Sequence, residues 1–179
     1  MPHIPLLPLD QAEPQVQAIY DDFCARMQCP EPPNFILTQG HSRQTARGTW
    51  DLVRNILVEG EIPRWQKELV FVAISKDRNC GYCSAAHLAC CRMLGVSAEN
   101  MVRDTTLIPD LTLREIILFA RKCASDPQSL TAEDYDRLGK CGLSRSQILE
   151  LIAMSGLAVY ANIMADATAI EPDAMFSAL

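Results

Sequence analysis

Residues 69–74, LVFVAI, stand just ahead of a CxxC pair at Cys80 and Cys83, and their conformation decides what the rest of the chain can be. As a buried strand they would open a thioredoxin-type βαβ unit. As a helix they belong to a bundle with a different thiol chemistry. A short apolar run satisfies both periods. Upstream, Pro63 can occupy the first helical position, and Trp65, Leu69 and Val72 then recur at i, i+4 and i+7. A thioredoxin-type sheet needs several further strands, and only residues 35–38 and 106–108 compete for that role, both short. Ala and Leu occur 20 times each and Val 8 times, so helix formers dominate. An all-α fold follows, with residues 64–77 a helix buried nearly all round.

The polar break Asp77-Arg78-Asn79 ends that helix. A second helix begins near Cys80 and ends at Leu94, with Gly95 just past its last turn. Residues 12–27 and 43–58 also read as helices. Thr112-x-x-Glu115, Thr131-x-x-Asp134 and Ser144-x-x-Gln147 resemble capping boxes in front of three more. Residues 1–11 and 28–42 read as irregular, with CPEPPN at 29–34 a stiff connector. No low-complexity segment or linker divides the chain. A single domain is expected over 1–179, with an N-terminal arm at 1–42, the CxxC helix hairpin at 60–95 and C-terminal helices over 112–170. Lys67-Glu68 followed by an apolar run is echoed at Arg114-Glu115, a faint internal likeness without a second CxxC.

Net charge is −6 and no block of basic residues occurs, which argues against a nucleic-acid or anionic-membrane partner. No uninterrupted apolar run approaches the roughly 18 residues of a membrane span, and MPHIPLLPLDQAEP lacks a basic leader region. A reducing, cytoplasmic location is the expectation. Of eight cysteines, Cys80 and Cys83 stand in a mechanistic spacing. Cys24, Cys29, Cys90, Cys91, Cys123 and Cys141 read as small buried hydrophobes. Met93, Met101, Met154 and Met164 read as core filling, Trp50 and Trp65 as core or subunit contacts, and Asn162 as a buried hydrogen-bonding residue.

On a helix, residues three or four apart share a face. Cys80 and Cys83 can therefore bond, and His87 sits one turn above Cys83. A thiolate is the nucleophile, favoured by the helix N-terminus and by a neighbouring base. Glu68, on the preceding buried helix, is the group expected to orient His87, since a carboxylate beside an apolar run must be paired. The cycle these groups permit starts with Cys83 attacking a hydroperoxide to give a sulfenic acid. Cys80 then condenses with it to a disulfide, which an external thiol reduces. No cofactor beyond that disulfide, and no metal, is expected. Zinc needs four ligands, and Cys80 and Cys90 lie about 15 Å apart along a helix axis, so one ion cannot join them.

Glu68-x11-Cys80-x2-Cys83-x3-His87 resembles the motif of the AhpD-like alkylhydroperoxidases in the carboxymuconolactone decarboxylase superfamily. Pro33-Asn34-Phe35, His41, LTLREIILFARK at 111–122 and NIMADA at 162–167 resemble its peroxidase-related branch. The resemblance implies an AhpD-like helical bundle with the CxxC at the N-terminus of a central helix. It implies a homo-oligomer, trimer or hexamer, that reduces organic hydroperoxides with electrons from a dithiol reductant or adaptor protein. By the family pattern Cys83 is peroxidatic, Cys80 resolving, and Glu68 and His87 form a proton relay through a water. The chain departs from the best-characterised members at Tyr82, where they carry a second histidine; Tyr82 and His41 are candidate pocket residues. A general thiol-disulfide oxidoreductase and a non-catalytic redox-sensing oligomer stay open as alternatives.

Overall fold

The computed structural model describes residues 1–98 and 104–178, and among them helices and turns make up the regular structure, with no strand. Met101 lies outside the described residues. The helices are α1 Pro14–Met27, α2 Asn34–Gln39, α3 Arg43–Leu52, α4 Arg64–Asp77, α5 Gly81–Met93, α6 Leu111–Ser125, α7 Ala132–Lys140, α8 Arg145–Thr168 and α9 Met175–Ala178.

Helix α4 is the hub. Every residue from Lys67 to Ser75 is buried, because α5, α6 and α8 pack around it. The run 69–74 is thus helical and fully enclosed, as its flanking period implies. Asn79, at φ 57°, turns the chain into α5, and the Cys80 N–H closes α4 on the Ser75 carbonyl at 2.9 Å. Asparagine tolerates this left-handed conformation better than most residues. Helix α8 is long and apolar enough to cross a bilayer, a property that a search for uninterrupted runs misses. Here Leu151, Met154, Leu157, Ala158, Ala161 and Ala165 are buried in the core.

Several boundaries differ from the expectations. Residues 34–39 form α2 rather than an irregular segment or a strand, anchored where the Tyr20 hydroxyl donates to Leu37 O at 3.2 Å. Residues 105–107 make a single 3-10 turn, in keeping with the expected all-α fold. Helix α6 is capped by Asp110, which accepts from Thr112 N at 2.8 Å and Leu113 N at 3.3 Å, so Thr112 is inside the helix. The reciprocal boxes at Thr131/Asp134 and Ser144/Gln147 are formed. Pro63 is the N-cap of α4 rather than its first residue. Met93 is exposed rather than core, whereas Met154 is fully buried.

The expected helix 43–58 is α-helical to Leu52 and then widens into a π turn over Val53–Val58. Buried Lys67 holds this turn, donating to Ile56 O at 2.8 Å and also to Glu59 O, while its charge meets Glu150. Arg114 plays the matching part on α6, donating to Ile108 O at 2.5 Å, which gives the faint sequence echo a structural counterpart.

Candidate active site

Cys80 is the N-cap of α5 and Cys83 lies in its first turn. The side chains of both are buried, at 0% and 2% exposure, and both are free thiols. They are side-chain hydrogen-bond partners, so their titrations are linked. The Cys83 side chain and then the Cys83 backbone N–H favour the thiolate on Cys80, against burial and the nearby Asp166 carboxylate, and the Cys80 thiol is lowered. Cys83 is correspondingly raised, first by its bond to Cys80 and then by burial. Asn162 is also a hydrogen-bond partner of Cys83, and its amide nitrogen donates to Ser75 Oγ at 2.9 Å. This buried asparagine thereby ties α8 to the thiol pair and to the end of α4.

Glu68 comes to His87 as the hairpin implies. Its Oε2 lies 2.5 Å from His87 Nδ1, and its Oε1 accepts from Arg64 Nε at 3.1 Å. Glu68 is completely buried, so Arg64, 23% exposed, supplies the compensating charge. The imidazole stacks on Phe71, with ring centroids 3.5 Å apart and 15° between planes. A carboxylate only accepts hydrogen bonds, so Nδ1 carries the proton and Nε2 is left as the basic nitrogen.

Among the described residues, Glu68 is the hydrogen-bond partner of His87, while the Cys83 thiol is engaged by Cys80 and Asn162. The imidazole and Cys83 both line one cavity. That cavity, about 250 Å³, is bounded by Phe23, Phe35, Phe71, Tyr82 and Phe176, with the Met27–Cys29 loop on its wall. The π turn contributes Val53 and Leu57. Cys83 lines the cavity and Cys80 does not.

Tyr82 lines the cavity with its ring, but its hydroxyl is committed elsewhere. It donates to Asp173 Oδ2 at 2.7 Å and accepts from Phe35 N at 3.0 Å. Asp173 in turn accepts from Asn34 N at 2.9 Å. The Tyr82 hydroxyl thus belongs to a clamp that holds residues 171–176 against the site. His41 is away from the cavity: it is exposed, with Nε2 2.8 Å from Pro5 O.

Cys90 is the residue sequence reasoning undervalued. Its sulfur, one His87 ring nitrogen and one Glu68 carboxylate oxygen lie within 4.8 Å of one another. The signal was present in the His87-x2-Cys90 spacing. These are three donors of a kind that can share a cation, and the CxxC sulfurs are not among them. Tetrahedral zinc takes a fourth ligand, and here Glu68 is already bound to His87 and Arg64.

Residues 43–103 match the carboxymuconolactone decarboxylase family. None of the curated proteins matches the chain in sequence. Its structure is similar to that of a peroxidase-related protein with an alkylhydroperoxidase AhpD core from Ralstonia eutropha JMP134, with TM-score 0.85 and 19% identity over 98% of this chain and 94% of that one. A peroxidase-related protein from Silicibacter sp. TM1040 gives 0.83 and 21% over the same shares, 98% and 94%. The debrominase Bmp8, in complex with 2,3,4-tribromopyrrole, gives 0.80 and 21%, again over 98% and 94%. At such identities each of these likenesses is one of fold. Together these findings show that the chain has the AhpD-like all-α fold and that its residues 43–103, the CxxC hairpin included, match the carboxymuconolactone decarboxylase family.

Proposed function

We propose that the protein is a thiol-dependent peroxidase acting on organic hydroperoxides with apolar substituents. The observation that carries this reading is that Cys83 and the Glu68-oriented imidazole of His87 open onto one apolar cavity, while Cys80 lies behind Cys83. Cys83 ionises by passing its proton to Cys80 or, through a water, to Nε2 of His87. Its sulfur then attacks the terminal peroxide oxygen, the O–O bond breaks, and the departing alkoxide takes back that proton from the group that received it. The Cys80 sulfur attacks the sulfenic acid, forming the Cys80–Cys83 bond and releasing water. A dithiol reductant or adaptor protein returns two electrons and two protons. A resident cofactor has no part in this cycle. On this reading the protein works in the cytoplasm as a homotrimer or homohexamer, supported by exposed Leu111 and Leu118 on α6 and Leu149 and Ile163 on α8.

A second reading is favoured by the aromatic walls of the cavity and by the debrominase fold likeness. The same thiol pair could remove a halogen from a flat ring, releasing halide, placing a proton on the carbon and leaving the same disulfide. Single-turnover consumption of cumene hydroperoxide, with a polyhalogenated heteroaromatic compared in parallel, separates the two. The peroxidase reading expects Cys80→Ser to consume one equivalent and stop at the sulfenic acid, and Cys83→Ser to consume none. Equal, slow consumption by wild type and Cys83→Ser would remove it.

A further inference from the structure

A second pair of cysteines meets at the end of α1, and one of them, Cys29, lines the same cavity. Helix α1 ends at Met27; Gln28 follows at φ 59° and ψ 38°, and the Cys29 N–H donates to Cys24 O at 3.2 Å. This six-to-one bond is the signature of a Schellman ending, which stacks the residue after the left-handed one over a residue in the last helical turn. Those two positions normally hold an apolar contact. Here both are cysteines, both partly buried, and their thiols are hydrogen-bond partners.

The loop between them reaches the site. Met27, Gln28 and Cys29 line the cavity with Cys83 and His87. Met27 Sδ accepts from Arg64 Nη2 at 3.6 Å, and Arg64 is the residue that holds Glu68. A covalent change across the end of α1 would therefore act on the cavity wall and on the support of the relay.

We propose that Cys24 and Cys29 form a second, reversible disulfide that staples the C-terminus of α1 beside the Cys83 cavity. Cys29 attacks first: burial raises both thiols, but their mutual hydrogen bond opposes the rise at Cys29 and adds to it at Cys24, which is pushed up to about 12. With a low-molecular-weight disulfide as oxidant, the Cys29 thiolate attacks one sulfur, the oxidant's S–S bond breaks, and one small thiol departs. The Cys24 thiolate then attacks the Cys29 sulfur of the mixed disulfide and expels the second small thiol. Two protein thiols are oxidised, one small disulfide is reduced, and the two protons leave on the released thiols.

The test uses the full chain in glutathione redox buffer, followed by acid quenching, alkylation and trypsin. Cleavage after Arg26 and Arg43 puts Cys24 and Cys29 on separate peptides, 1–26 and 27–43, and the CxxC on a third, 79–92. The expected result is a joined 1–26/27–43 pair under oxidising buffer, lost on adding excess dithiol and absent in Cys29→Ser. The pair also forms in the Cys80→Ser/Cys83→Ser variant, so the outcome is independent of hydroperoxide chemistry. Recovery from oxidised wild type of both cysteines as alkylated thiols, or only as separate glutathione adducts, overturns the proposal.

Discussion

Replacing Glu68 by Gln keeps shape and removes charge, which makes it the sharpest probe of the relay. Glu68 is fully buried with two partners, Arg64 at 3.1 Å and His87 at 2.5 Å. Hydrogen bonds to charged groups contribute about 1.5–3 kcal/mol and neutral ones about 0.5–1.5, so each contact weakens by roughly 1–1.5 kcal/mol. Relief from burying an anion offsets part of that, and Arg64 can rehydrate through its exposed share. The net cost is about 1–2 kcal/mol, a fall in Tm of roughly 3–6 °C for a chain of this size. The chemical cost is larger. With its carbonyl held by Arg64, the glutamine presents its NH2 to Nδ1, which moves the imidazole proton to Nε2 and removes the free base. A loss of about 3 kcal/mol in barrier support slows the thiol step roughly a hundredfold. Stopped-flow loss of the Cys83 thiol with cumene hydroperoxide reads this, alongside thermal melts. His87→Gln should cost a similar factor, and the double variant no more than either, because the two act as a unit. A Glu68→Gln rate within threefold of wild type, with the Tm still lowered, would show that the carboxylate only supports the fold.

Tyr82→Phe removes the hydroxyl that joins Asp173 to the Phe35 amide and leaves the Asp173 carboxylate short of a partner. It should cost about 1–3 kcal/mol, speed hydrogen exchange at residues 34–36 and 173–176, and weaken binding of bulky hydroperoxides more than it slows their turnover. Asp134 is held down to about 2, first by Lys122 and then by the Thr131 N–H, from an ordinary value of 3.8. Its folded value lies below its unfolded one, so its stabilisation is present above about pH 4 and is lost as the pH falls through about 2. Urea midpoints across pH 2–7 should fall less steeply between pH 4 and 2 in Asp134→Asn, from a lower starting value at pH 7.

What the sequence disclosed was whatever is decided by near neighbours in the chain. The bounds of α4, the reciprocal caps at Thr131 and Ser144, and the face shared by Cys83 and His87 all follow from spacings of three or four. The approach of Glu68 to His87 follows from a hairpin whose two helices are consecutive. Helix α2 was hidden because its six residues are held from outside, by Tyr20 and Tyr82, and have little propensity of their own. Asp110 and Thr112 are both good caps, and only the hydrogen bonds show which one is used. The π turn depends on Lys67 and Glu150, the second far along the chain. The Tyr82–Asp173 clamp spans 91 positions and leaves no local trace. Cys90 and the Cys24/Cys29 pair were passed over because a buried cysteine looks like any small apolar residue until its neighbours are known.

The clamp also sets an order of events during synthesis. Phe176 and the Asp173 clamp come from a segment translated after every other side of the cavity. Until that segment emerges, the cavity lacks one wall, and the Cys83 thiol meets solvent more widely than it does once Phe176 is in place.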